Sequence, residues 1–124
     1  MRTLLLALAT TLLASASTHE SPFACDRNAL TPQDRKRHFD ELGAKLRTLV
    51  LEARELPEGY EFRFSGGRAT FQLLSEWTGG EHVCCPFFDI DLHLDREGGA
   101  VWLRLTGRTG TKDFIRSDFK AWFK

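Results

Sequence analysis

Two adjacent cysteines followed by a proline, Cys84-Cys85-Pro86, are the strongest constraint in this 124-residue chain, which holds one further cysteine, Cys25. Cysteine reacts and binds metals as the thiolate, so clustered thiols indicate disulfide chemistry or soft-metal binding. A disulfide between Cys84 and Cys85 would close a strained ring, and such bridges are labile. A bridge from Cys25 to either member of the pair would instead close a loop of about 60 residues and contribute roughly 4 kcal/mol.

The first sixteen residues have the pattern of a signal peptide. Arg2 precedes an apolar run from Leu4 to Ala14, and Ala14-Ser15-Ala16 is a small-x-small site that predicts cleavage after Ala16. The run is shorter than the roughly 20 apolar residues that a membrane span requires. We therefore expect a periplasmic or secreted protein, with no membrane span after cleavage, in an oxidising compartment that favours disulfides.

Length and charge limit the domain count and the partners. Residues 17–124 suffice for one small domain with one core, which we divide into a polar arm (17–30) and an α+β domain (31–124). The chain has 17 basic and 17 acidic residues, a balance that does not favour nucleic acid or an anionic membrane as a partner. The expected partner is a metal or metalloid ion, or an unknown protein of the cell envelope.

The first helix has a clear start. Thr31 is a capping residue, Pro32 follows at the first helical position, and Asp34 adds an acid three residues after the cap. We expect this helix to end before Pro57, because the residue before a proline is pushed out of the helical region. Apolar residues at helical spacing predict that it packs on the core: Phe39, Leu42, Leu46, Leu49, Val50 and Ala53.

Alternation of apolar and polar residues marks three strands, at residues 60–64, 88–94 and 101–105, the last two joined as a hairpin. A second helix is expected between the first two strands. Whether it continues through Gly79-Gly80 is left open, since each glycine costs roughly 1 kcal/mol against alanine in a helix. A last helix follows the loop at 107–111. The order αβαββα predicts an α+β fold in which helices pack on one face of a three-stranded antiparallel sheet.

The three thiols are the candidate metal ligands. Soft ions such as Hg(II), Cu(I), Zn(II) and As(III) bind thiolate well, which favours a site at Cys25, Cys84 and Cys85. His82 precedes Cys85 by three residues, so the two would share a face on a helical turn. Glu81 precedes Cys84 by three residues and Cys85 by four, so on a helix it would share a face with them as well. The sequence therefore predicts a soft-metal or metalloid site, with His82 and Glu81 as further ligands. We expect a binding protein rather than an enzyme.

Two other functions use the same cysteines. In one, Cys25 is bridged to Cys84 or Cys85, and the protein is a disulfide-stapled, non-catalytic binding module. In the other, the thiols have a redox role. The adjacent pair argues against the redox role, because thioredoxin-type enzymes carry their cysteines as CxxC at a helix start.

Other polar groups have simpler explanations. His93 with Asp91 and Asp95 is expected to form a solvated charge ladder on one sheet face. The glycine-rich segment 107–112 lacks the spacing of a phosphate-binding loop and is expected to lead into the last helix. His38, in a charged helix, is expected to be solvated.

Several short motifs along the chain are distinctive together: Leu30-Thr31-Pro32, Glu55-Leu56-Pro57-Glu58-Gly59-Tyr60, Glu76-Trp77, Cys84-Cys85-Pro86-Phe87-Phe88 and Trp102-Leu103-Arg104-Leu105-Thr106-Gly107. On these motifs the chain resembles a small family of uncharacterised bacterial proteins, whose signature is a CCPF segment followed by a hairpin and an LTG loop. The resemblance spans roughly residues 25–120 and brings no established activity.

Overall fold

A computed structural model describes residues 19–124, so the expected signal peptide at 1–16 lies outside the described residues. Two short 3₁₀ turns, at Arg27–Ala29 and Lys120–Trp122, flank the main elements. In chain order those elements are α1 (Pro32–Arg35), a π-helical segment (Lys36–Gly43), α2 (Ala44–Leu49), β1 (Glu52–Leu56), β2 (Gly59–Phe64), α3 (Arg68–Cys84), β3 (Asp89–Leu94), β4 (Val101–Thr106) and α4 (Thr111–Asp118).

The sheet has four antiparallel strands in the order β1-β2-β4-β3. The α+β class is therefore confirmed, but the three strands and the order αβαββα were wrong. In the centre of the sheet Phe62 pairs with Leu103, which pairs on its other side with Leu92. Phe62 and Leu103 are fully buried. These side chains join the aromatic core that the helices cover.

The added strand, β1, lies where the first helix was expected to continue. The helix ends at Leu49, and Val50 turns the backbone to an extended ψ of 125°. Strand β1 then pairs along its whole length with β2, beginning at Glu52 opposite Arg63. The Arg63 guanidinium donates to the Glu52 carboxylate at 2.9 Å. Pairing with a neighbouring strand has thus decided a segment whose own residues favour a helix.

The predicted helix start is confirmed. The Thr31 hydroxyl oxygen accepts from the backbone N–H of Asp34 at 3.1 Å, and Pro32 occupies the first turn. The chain then passes without a break into the π-helical segment, where each turn holds more residues than in an α-helix. His38 and Leu42 are buried from this segment. Such widened turns are rare and occur often at functional sites.

Helix α3 runs without interruption through Gly79 and Gly80, the two positions at which its continuity was in question. Its buried side chains recur every three or four residues, as a helix packed on one side requires. They are Leu74, Trp77, Glu81 and Cys84. The last two are polar groups in an otherwise apolar face, and they define the site described below.

The other face of the sheet carries charged pairs. Arg104 donates to the Glu61 carboxylate at 2.7 Å across β2 and β4. His93 lies 3.2 Å from Asp95, and both side chains are roughly half exposed. This agrees with the solvated ladder expected for His93. Within residues 19–124, no helix combines the length and the apolar character that crossing a bilayer requires.

Candidate metal centre at the Cys84 thiol

A disulfide joins the N-terminal arm to the end of α3. The sulfurs of Cys25 and Cys85 are 1.91 Å apart, their Cα atoms are 4.4 Å apart, and they are separated by 60 residues in sequence. Of the alternatives left open by the sequence, the structure supports the one in which Cys25 bridges a member of the pair, with Cys85 as the partner. Beside the bridge, the backbone N–H of Asp26 donates to the carbonyl of Cys84 at 2.7 Å. The arm is therefore fixed to the helix end by a covalent and a hydrogen bond.

Aromatic packing holds the arm as well. The Phe23 ring lies 5.3 Å from Phe87 and 6.2 Å from Phe114, measured between ring centroids. The Arg108 guanidinium covers Phe23 at 4.2 Å and also donates to the carbonyl of Ser21. The arm thus makes several contacts that do not include the disulfide.

Cys84 is the free thiol of the three cysteines, and it is fully buried. Its sulfur lies 3.6 Å from the sulfur of Cys85. The sulfurs of Cys25, Cys84 and Cys85 all lie within 4.8 Å of one another. Burial raises the pKa of the Cys84 thiol to about 12, and the nearby Glu81 carboxylate adds to the rise. At neutral pH the thiol is protonated in the absence of a cation.

A buried imidazole and a buried carboxylate lie beside this thiol. His38 Nε2 is 2.8 Å from Glu81 Oε2, and the two residues are only 3% and 2% exposed. Cys84 Sγ lies 3.7 Å from the same nitrogen and 3.9 Å from the same oxygen. Burial raises the pKa of the Glu81 carboxyl, against the opposing effect of the hydrogen bond from His38. The expectation that His38 is solvated was wrong.

Two features explain why His38 is buried. The π-helical segment turns it toward α3, and the absence of a side chain at Gly80 leaves room for the ring. Trp77 stacks nearly parallel to the imidazole, at 5.6 Å between centroids and 15° between planes. Phe39 meets the ring edge-on at 4.7 Å. The orientation of the imidazole is therefore set by packing on two sides.

The geometry does not match a thiol–imidazole–carboxylate relay. In such a relay the carboxylate binds one ring nitrogen and the other nitrogen takes the proton of the thiol. Here Glu81 and Cys84 both face Nε2 of His38, while Nδ1 has no hydrogen-bond partner among the described residues. Three potential ligand atoms thus converge on one point, which is the arrangement that a cation requires.

His82 does not join the cluster. It is exposed on the last turn of α3, whereas Glu81, Cys84 and Cys85 are buried. The expected three-residue spacing to Cys85 does not apply, because Cys85 has left helical geometry, with φ −123° and ψ 69°. Of the predicted ligands, Cys25, Cys84 and Cys85 lie together, and Glu81 lies against Cys84 in a second group with His38.

A surface cavity of about 200 Å³ reaches the cluster. Its lining includes Cys25, His38, Glu81 and Trp77. Ions and small reductants therefore have a path to a site whose ligand atoms are otherwise buried.

The sequence reasoning missed His38. The available signal was the Gly79-Gly80 pair, since two glycines are unfavourable in a helix interior unless something needs the space. Glu81 and Cys84 follow at a spacing that puts them on one helix face. Nothing in the sequence around His38 itself indicated that this helix would widen and face the glycines.

No protein-family model matches the chain, no curated protein matches it, and no solved structure resembles it significantly. The resemblance to the CCPF family stays a prediction.

Proposed function

We propose that this protein binds a soft metal or metalloid ion through Cys25, Cys84 and Cys85 after an external dithiol has reduced the Cys25–Cys85 disulfide to two thiols and has itself been oxidised to a disulfide. The observation that carries the proposal is the unpaired Cys84 sulfur, buried 3.6 Å from the sulfur of Cys85. With the bridge open, three sulfurs lie around one point. Ions such as As(III), Hg(II) and Cu(I) prefer this kind of thiolate site.

The distances support the proposal. A metal–sulfur bond of about 2.3 Å puts the sulfurs around a three- or four-coordinate ion roughly 3.8 to 4.0 Å apart. The sulfurs of Cys84 and Cys85, at 3.6 Å, are already close to this spacing. The sulfur of Cys25 must move away from that of Cys85, from which it is now 1.91 Å. Cys25 belongs to the arm, so this movement requires no change in the helix.

A disulfide-stapled, non-catalytic binding module is the second candidate, and the Cys25–Cys85 bridge favours it. In that role the bridge and the packed Phe23 ring fix the arm permanently, and Cys84 is a buried core residue. The partner would be an unknown protein of the cell envelope. An oxidising periplasmic or secreted location, after cleavage following Ala16, favours the intact bridge of this second candidate, whereas the metal site needs a dithiol reductant there. A thiol-redox role is less favoured, because the Cys84 thiol is buried and protonated.

Metal titration of reduced protein tests the proposal. The reduced wild type should bind one As(III) or Hg(II) per chain in native mass spectrometry, with loss of all three titratable thiols. Cys84→Ala should weaken binding strongly, whereas His93→Ala, on the solvated face, should leave it unchanged. If reduced wild type and Cys84→Ala take up metal equally, the stapled module becomes the better account.

A further inference from the structure

We propose that His38, Glu81 and Cys84 form a second metal site, selective for a borderline divalent cation such as Zn(II), that is complete while the Cys25–Cys85 disulfide is intact. The site shares Cys84 with the three-thiol site but needs neither sulfur of the bridge. It rests on the convergence of Nε2, Oε2 and Sγ, so it stands or falls independently of the proposed soft-metal function.

The three atoms nearly have the spacing of metal ligands. Bonds of about 2.3 Å to sulfur and 2.0–2.2 Å to nitrogen and oxygen put tetrahedral ligands roughly 3.3 to 3.6 Å apart. Cys84 Sγ is 3.7 Å from His38 Nε2 and 3.9 Å from Glu81 Oε2. The third distance, 2.8 Å between His38 and Glu81, is a hydrogen bond that opens when a cation replaces the shared proton. Side-chain shifts of roughly half an ångström complete the site.

The chemistry of the three groups favours a borderline ion. Imidazole, thiolate and carboxylate are all ordinary ligands of Zn(II), whereas a carboxylate and an imidazole add little for a strongly thiophilic ion. A divalent cation also balances the charge of the Glu81 carboxylate and a Cys84 thiolate. Because uncompensated charge is costly in a protein interior, this neutral arrangement favours occupancy of a buried site.

The backbone builds the site from two helices. Glu81 and Cys84 are three residues apart on the buried face of α3. The π-helical segment supplies His38, and Gly80 makes room for its ring, since a Cβ there would lie 2.5 Å from Nδ1. Packing by Trp77 then orients the imidazole. The widened helix and the glycine inside α3 are both locally unfavourable, and together they allow Nε2 of His38 to reach the site.

Access and affinity follow from the surroundings. The cavity of about 200 Å³ is lined by His38 and Glu81, so it supplies an entry path and space for a fourth ligand such as water. His38 Nδ1 has no hydrogen-bond partner among residues 19–124. At zinc sites, a hydrogen-bond partner on the second ring nitrogen of a histidine ligand typically raises metal affinity by about 10- to 100-fold. Because Nδ1 of His38 lacks such a partner among the described residues, we expect weaker binding than at a zinc site that has one.

Titration with Co(II), a spectroscopic substitute for Zn(II), tests this site in protein that has not been reduced. Intact mass first verifies that the disulfide is present. We expect one Co(II) per chain, with a thiolate-to-metal charge-transfer band and the visible bands of a tetrahedral ion, both reversed by Zn(II). His82→Ala is the matched control, since its imidazole is exposed next to the site and should not affect the spectrum.

Three variants assign the ligands. Cys84→Ala should remove the charge-transfer band, while His38→Gln and Glu81→Gln should each weaken Co(II) binding by about tenfold or more. Near-UV circular dichroism reports which variants are folded. If His38→Gln and Glu81→Gln do not fold, Cys84→Ala alone decides whether the site exists, because it removes only the buried sulfur atom. A folded Cys84→Ala protein with an unchanged Co(II) spectrum would overturn the site, as would failure of the oxidised wild type to bind.

The two sites are distinguished by the state of the disulfide. Co(II) binding by oxidised protein with no As(III) binding by reduced protein would support this second site and reject the proposed function. The reverse result would reject this site and leave the three-thiol site intact.

Discussion

Gly80 lies directly against the imidazole of His38. A Cβ built at position 80 would lie 2.5 Å from His38 Nδ1, closer than side chains approach one another in proteins. A Cβ built at the neighbouring glycine, Gly79, would have no atom within 4 Å. Both glycines lie in the interior of α3, so they offer a matched pair: one is required by the site and the other is not.

Replacing these glycines should therefore give opposite results. Gly79→Ala should stabilise the protein by roughly 0.5 to 1 kcal/mol, because alanine is the better helix former. Gly80→Ala should destabilise it by about 1 to 3 kcal/mol, as overpacking does, and should abolish Co(II) binding by displacing His38. Chemical denaturation and Co(II) titration of both variants measure this. Equal effects at the two positions would show that His38 does not depend on Gly80.

The disulfide predicts a specific pattern of thiols. Non-reducing digestion should yield one linked peptide pair containing Cys25 and Cys85. Cys84 should resist alkylation in the native protein and react after unfolding, because it is fully buried and its pKa is raised to about 12. Three free thiols, or a bridge that includes Cys84, would contradict the structure.

Removing the bridge should cost stability only under oxidising conditions. Cys25→Ser should lower the free energy of unfolding of the oxidised protein by roughly 2 to 4 kcal/mol, since the lost cross-link closes a long loop. Reduced wild type and reduced Cys25→Ser should unfold at similar denaturant concentrations. A large difference between the reduced proteins would assign the effect to packing of residue 25 instead.

The arm should stay docked when the bridge is open. Phe23 packs on Phe87, the N–H of Asp26 donates to the carbonyl of Cys84, and neither contact includes a sulfur of the disulfide. Hydrogen exchange should therefore show protection of the Asp26 amide in reduced wild type and loss of that protection in reduced Phe23→Ala. Loss of protection in the reduced wild type alone would mean that the disulfide, not the aromatic contact, holds the arm.

Metal binding should strengthen as pH rises. Burial raises the pKa of Cys84 to about 12, so a metal ion must displace its proton at any pH near neutrality. Each displaced proton makes the apparent affinity rise about tenfold per pH unit below that pKa. Titrations of Co(II) at several pH values measure the slope. Affinity independent of pH would mean that Cys84 is not a ligand.

Much of the fold could be predicted from the sequence, because local signals and tertiary packing agree there. Thr31 and Pro32 fixed the start of the first helix, and the alternation after Phe88 predicted the β3–β4 hairpin. Strand β1 could not be predicted in the same way. The residues of Glu52–Leu56 form helices readily, and their extended conformation comes from pairing with β2.

The site was predictable only in part, because some of its residues are marked by local sequence signals and others depend on tertiary structure. The adjacent cysteines identified Cys84 and Cys85, and Cys25 was indicated as the one remaining cysteine, whose bridge to the pair would close a long loop. Selection of Cys85 as the bridging partner depends on its departure from helical geometry at the end of α3, which spacing alone does not reveal. His38 reaches the site through a π-helical segment that has no simple sequence pattern.

X-ray absorption spectroscopy of the As(III) complex of reduced protein tests the central claim most directly, since it counts the sulfur atoms bound to the ion. The account predicts three sulfur ligands in the wild type and fewer in Cys84→Ala. An oxygen- or nitrogen-dominated shell in the wild type, or an identical sulfur count in the two proteins, would contradict it.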